Sequence, residues 1–140
     1  MPGWKYASHL ASLSGCPPTG AQPRERTAFR FVWNPVEQAS FVPAAFKLAG
    51  SPRRANRRDQ PSCSAYGLSM FTTEVQARAR FAELEEKTRE IRKTVGTHLA
   101  VVALSPAHGV QTLESLTGHF DLHEYEGVDL VSVSTVVEKL

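Results

Sequence analysis

Leu68-Ser69-Met70-Phe71-Thr72-Thr73-Glu74-Val75-Gln76-Ala77 reads as a strand that runs almost directly into a helix. Leu68 to Phe71 is short and mostly apolar, as a buried strand requires. Thr73 has the side chain of an N-cap, and Gln76 stands three residues on, the spacing of a capping box. From there Ala77, Phe81, Leu84, Thr88, Ile91 and Val95 recur at steps of three and four. That spacing predicts one apolar stripe along a helix of roughly six turns. Glu83 with Lys87 and Glu85 with Arg89 set opposite charges one turn apart on the wet side, and Gly96 is placed to stop the helix.

Outward from this unit, Thr27 to Trp33 alternates, with Phe29, Phe31 and Trp33 on one face and Ala28, Arg30 and Val32 on the other. The pattern predicts a strand with an aromatic core face, and it turns Arg30 away from the core. Asn34-Pro35 ends it. His98 to Leu104 is near-continuously apolar and reads as a central strand. His119 to Tyr125 alternates again, Phe120, Leu122 and Glu124 facing one way and His119, Asp121, His123 and Tyr125 the other. Pro43 to Leu48 fits a short helix, Pro106 to Gly109 a turn, and Val110 to Gly118 has no assignment. Val128 to Leu130 extends briefly, and Val133, Val136, Val137 and Leu140 fit a closing helix. The expected class is α+β: a small mixed or antiparallel sheet of about five short strands with one long helix.

At 140 residues and 41% hydrophobic, the chain is the size of one domain with one core. Residues 1–23 carry Gly and Pro at frequent intervals and read as a loosely ordered arm whose Trp4, Tyr6 and Leu10 dock on the body; residues 24–140 read as a single α+β domain. The longest apolar run, Leu99 to Leu104, is far short of the roughly 20 residues that span a bilayer. His9 and several serines interrupt any signal-peptide core in Met1 to Gly15, so the expected location is cytoplasmic, with no membrane contact.

Cys16 and Cys63 suggest neither a disulfide framework nor a zinc site, since no Cys-x-x-Cys or Cys/His pair has ligand spacing. Cys63 reads as a half-buried small apolar residue. His119, Asp121 and His123 line one strand face with ligand-type side chains, but no fourth ligand is evident and no metal is expected. Net charge is only +2, yet Arg24 to Arg58 holds eight basic residues against Glu25 and Glu37, and Gln111 to Leu140 holds six acids against Lys139. Arg53, Arg54, Arg57 and Arg58 lie in a polar, Pro-bounded loop, a nucleic-acid contact by charge alone, with no interleaved aromatics for base stacking.

Arg30 on the first strand, Ser69 on a strand leading straight into a helix, an apolar strand and then Glu124-Tyr125-Glu126 form an ordered set. In that order the chain resembles the ADP-ribosyltransferase fold in its Arg–Ser–Glu variant. Tyr66 to Ala77 is also similar to the strand-to-helix element of the poly(ADP-ribose) polymerase branch. The resemblance covers Ala28 to Leu130 as pattern rather than identity, and it departs where Ser69 is followed by Met70 and Phe71 instead of Thr-Ser. It implies NAD as substrate, in an enzyme of the kind found in bacterial toxin or phage-defence modules. Arg30 would hold a phosphate or ribose hydroxyl, Ser69 or Tyr66 the nicotinamide ribose, and Tyr66 or Phe71 the ring face. Glu126 would stabilise the oxocarbenium-like charge, and Glu124 would orient or deprotonate the acceptor. The other reading is non-catalytic: an α+β protein-binding module such as an antitoxin, immunity protein or complex subunit, docking through the arm with Trp4 and Tyr6.

Overall fold

The computed structural model describes residues 3–47 and 62–140. Six strands build one sheet: β1 (Arg26–Val32), β2 (Leu68–Phe71), β3 (His98–Leu104), β4 (Gly109–Gln111), β5 (His119–Glu124) and β6 (Ser134–Lys139). Their order is β4-β5-β2-β1-β3-β6, and every neighbouring pair is antiparallel. The α+β class stands, with one strand more than expected.

β1 pairs with β3 along its whole length, from Arg26↔Leu104 to Val32↔His98. Against β2 it makes a single pair, Phe29↔Phe71. By backbone pairing the sheet is therefore two three-stranded halves joined at one residue pair, with the β1–β2 ladder ending at Phe29 and side-chain packing on both faces spanning the join.

Both faces are covered. On one, α3 (Glu74–Lys87) lays Ala77 and Phe81 on Phe31, Phe71 and Leu99. Its start carries the N-cap read from the sequence, the Thr73 hydroxyl accepting from the Gln76 N–H at 3.2 Å, but the Gln76 side chain accepts from the Thr72 and Thr73 hydroxyls rather than closing the box on the Thr73 N–H. On the other face the 3₁₀ turn Gln38–Phe41 and the segment around Leu130 close over Ala28, Val32, Met70, Ala100, Val102, Phe120 and Leu122. This second layer corrects the reading of Arg30. Alternation does put it opposite the aromatic face, but that side faces a second core, and Arg30 is only 6% exposed.

Three other expectations change. The long helix ends at Lys87; Glu90 takes left-handed backbone (φ 60°) and a short helix, α4 (Ile91–Thr94), follows. Ile91 and Val95 still join Phe81 in one cluster. The apolar stripe runs through the break because the chain re-enters helix on the same face. The closing helix is instead β6, where Ser134-Thr135-Val136-Val137 is rich in β-branched residues that suit a pleated surface. A bulge opposite Leu99 and Ala100 makes Val137 the extra residue. β4 starts at Gly109, the last residue of the expected turn, and runs into the unassigned stretch as far as Gln111.

Residues 3–23 are tied to the sheet at several points. Lys5 N–H donates to the Glu124 carbonyl (3.0 Å) and Glu126 N–H to Gly3 (2.8 Å), so Gly3 to Lys5 run beside the end of β5, past where β2 begins. Trp4 stacks at 5.2 Å on Tyr125. α1 (Ala7–Ala11) follows, with Leu10 buried, and Gln22 bridges Gln111 on the outer edge of β4. Cys16 and Cys63 form a disulfide across 47 positions, which corrects the reading of two unrelated cysteines. Spacing along the chain carried no signal for it, because the tie depends on the arm folding back across the sheet. The helix expected at Pro43 to Leu48 is α2 (Ala44–Lys47). Among the described residues no helix is long and apolar enough to cross a membrane.

Candidate functional site

The parting of β1 from β2 concentrates most of the perturbed ionisable groups. Arg30, on β1, fills the parting with its side chain: its Nε donates to the Ser40 carbonyl at 2.9 Å and its Nη1 to the Ser69 carbonyl at 2.7 Å. Those carbonyls sit on either side of the gap, so the guanidinium ties its walls together with two charge-assisted bonds. Its plane also lies near the Phe41 ring, 5.7 Å from the centroid. Burial lowers its pKa to about 10, against the pull of Glu124 and Tyr6 toward the charged form.

From the other half of the sheet comes Glu124. It shares a face with Phe120 and Leu122, the face read from the alternation, and its side chain is 1% exposed. One carboxylate oxygen accepts from Lys5 Nζ at 3.1 Å. The second, Oε1, is buried with no hydrogen-bond partner among the described residues. Burial pushes the carboxyl above its ordinary value, and Lys5 and Arg30 pull it back. Tyr6 is pushed up to about 12, first by burial and then by Glu124, with Arg30 opposing. Lys47, although open to solvent along much of its chain, lies 5.3 Å from the Trp33 ring; desolvation and the Arg30 charge bring it down to about 8.

Aromatic rings wall the same region. Tyr6 lies 4.9 Å from Phe46, His9 lies 5.1 Å from Phe46 and 5.4 Å from Tyr66, and Phe46 and Tyr66 are 5.7 Å apart. Buried charges of both signs beside π-faces suit a ligand that is part anion and part planar ring.

Of the residues singled out in the sequence, the fold brings Arg30 and Glu124 together and sets Tyr66 in the adjoining aromatic wall. Ser69 contributes its carbonyl to Arg30, but its hydroxyl is on the opposite face, 3.0 Å from His119 Nε2. Phe71 is on that face too, packed at 5.4 Å on Phe31 and 5.5 Å on His119. Glu126 is exposed, past the end of β5 and against Gly3. Arg53, Arg54, Arg57 and Arg58 lie outside the described residues. Lys5 was not anticipated, and Tyr6 was read only as a docking residue. The available signal was Glu124 itself, since a carboxylate on a core face requires a nearby cation, though nothing in the pattern says which one.

Compared with protein-family models, curated proteins and solved structures, the chain matches none.

Proposed function

We propose that the split between the two halves of the sheet binds NAD and that the protein is an ADP-ribosyltransferase. The observation that carries this reading is the burial of Arg30 and Glu124 on one face, from opposite halves of the sheet, close enough to shift each other's protonation. The Arg30 charge attracts the pyrophosphate, while its hydrogen bonds to Ser40 and Ser69 hold the gap at a fixed width. The Tyr6, Phe46 and Tyr66 rings offer faces to the nicotinamide. As the glycosidic C–N bond breaks, its electron pair leaves with the nicotinamide nitrogen and positive charge grows on the ribose. A carboxylate held in low dielectric stabilises that charge more strongly than one in water.

The geometry favours Glu124 for this electrostatic role, because it is the buried carboxylate beside Arg30. Exposed Glu126, two residues on, is suited to taking the proton of an acceptor that bonds to the ribose carbon. This exchanges the roles that the resemblance implied. Ligand entry requires Lys5 to release Glu124.

The test is incubation with NAD labelled in the adenylate and nicotinamide portions. Nicotinamide release that falls at least about 100-fold in Glu124→Gln supports the reading. No NAD binding by titration calorimetry, together with no release and no difference between wild type and Glu124→Gln, refutes it.

The protein-binding reading has one observation in its favour: Leu113 and Leu116, in the loop between β4 and β5, are 67% and 104% exposed. A stable complex in light scattering that is lost in Leu113→Ser/Leu116→Ser, in a protein inert toward NAD, would select that alternative.

A further inference from the structure

On the α3 side of β5, three segments distant in the chain converge. Cys16 arrives from the arm, Cys63 opens the 3₁₀ turn Cys63–Tyr66, and His123 projects from the strand; their ligand atoms all lie within 4.8 Å of one another. His123 is 2% exposed, with Nε2 4.0 Å from the Cys63 sulfur and Nδ1 without a hydrogen-bond partner among the described residues. The nitrogen turned toward Cys63 is Nε2, and it is the one available to an ion held among the three side chains. Gly67 keeps room for the ring: a Cβ there would stand 3.2 Å from His123 Cε1 and Nε2 and 2.9 Å from the Asp121 Cβ.

We propose that, once the disulfide is reduced, Cys16, Cys63 and His123 bind a divalent metal ion of zinc type. Two thiolates and one imidazole match zinc's preference for sulfur and nitrogen, and three protein ligands leave the fourth tetrahedral position to water or an exogenous group. Zinc–sulfur bonds of about 2.3 Å set the two sulfurs about 3.8 Å apart and each about 3.6 Å from the imidazole nitrogen. Cleaving the S–S bond lets side-chain rotation separate the sulfurs, and the His123–Cys63 approach has only a few tenths of an ångström to close.

The chemistry balances with a dithiol reductant, which gives two electrons and two protons to the disulfide and becomes a disulfide itself. The metal then displaces the two thiol protons. The same three side chains thus have one closed state for an oxidising compartment and another for a reducing one. In the first His123 lies idle against the sulfurs. In the second its nitrogen is used.

The experiment takes the 140-residue chain, oxidised and reduced, and titrates it with Co²⁺ as a spectroscopic probe. The reduced protein is expected to bind one equivalent, with thiolate-to-cobalt charge-transfer absorption and tetrahedral ligand-field bands that stoichiometric Zn²⁺ abolishes. The oxidised protein shows neither. His123→Ala weakens Co²⁺ binding by at least about tenfold. If reduction loosens the fold, recovery of the far-UV dichroism on adding Zn²⁺ supports the site, and failure to recover overturns it. Absence of the charge-transfer band in a folded reduced protein also overturns it, as does undiminished binding by His123→Ala or by Cys16→Ser/Cys63→Ser.

Discussion

Replacing Arg30 by methionine removes the guanidinium and leaves a side chain of similar length in the gap. Two carbonyls, those of Ser40 and Ser69, then lose a charged donor. Each such bond contributes about 1.5–3 kcal/mol. Glu124 also loses one of the two cations that favour its charged form, but its ion-pair partner Lys5 stays in place, so this adds a smaller Coulombic loss. These contributions overlap, and methionine escapes the desolvation that Arg30 suffers, so the net loss is about 3–5 kcal/mol rather than their sum. For a chain of this size that corresponds to a fall in Tm of about 10–15 °C. Arg30→Lys keeps the charge without the planar fork, satisfies fewer acceptors, and falls between. The cost of Arg30→Met is smaller in a Glu124→Gln background, where no carboxylate loses a cation. Urea unfolding at unchanged m reads all of these. A loss below about 1 kcal/mol is what an arginine facing solvent would give, and it would refute the buried bridge.

Under non-reducing, metal-free conditions, Cys16→Ser/Cys63→Ser removes a tie that closes 47 positions, for a loss of about 4 kcal/mol by chain entropy; urea titration with and without reductant checks it. Thr73→Ala deletes the side-chain acceptor at the start of α3 and costs about 1 kcal/mol, whereas Thr73→Ser stays near wild type. Glu124 has a folded-state pKa above its ordinary value of 4.5, so its contribution to stability is fully present below that value and is lost as pH rises through the folded pKa. Relative to Glu124→Gln, wild type therefore loses stability as pH rises from about 4 toward neutrality; a difference curve that is flat, or that climbs with pH, contradicts the assignment.

Where side-chain period alone decides the structure, the chain is legible. The Thr73 cap, the start of α3, strands β1, β3 and β5, and the shared face of Phe120, Leu122 and Glu124 all follow from local pattern. The break at Glu90 was hidden because Ile91 resumes the stripe in phase. Arg30 was misread because alternation distinguishes two faces but does not say whether the second is wet; that depends on Phe41 and Leu130 folding over it. The site was legible in part. Arg30 and Glu124 were picked out and are buried on one face near enough to influence each other's charge, while Lys5 and the Cys16–Cys63 tie depend on the arm's path across the sheet, for which no residue spacing is diagnostic.

The lone Phe29↔Phe71 pair has a mechanical consequence. By backbone ladder alone the two halves would be free to tilt about that pair, so what fixes their angle is side-chain packing: Val32 and Ala100 from one half share a core with Leu68, Met70 and Phe120 from the other. Arg30 stiffens that angle without a covalent or ladder link. Loosening that shared core, or removing Arg30, is therefore expected to register first in the angle between the plates and only later within either ladder.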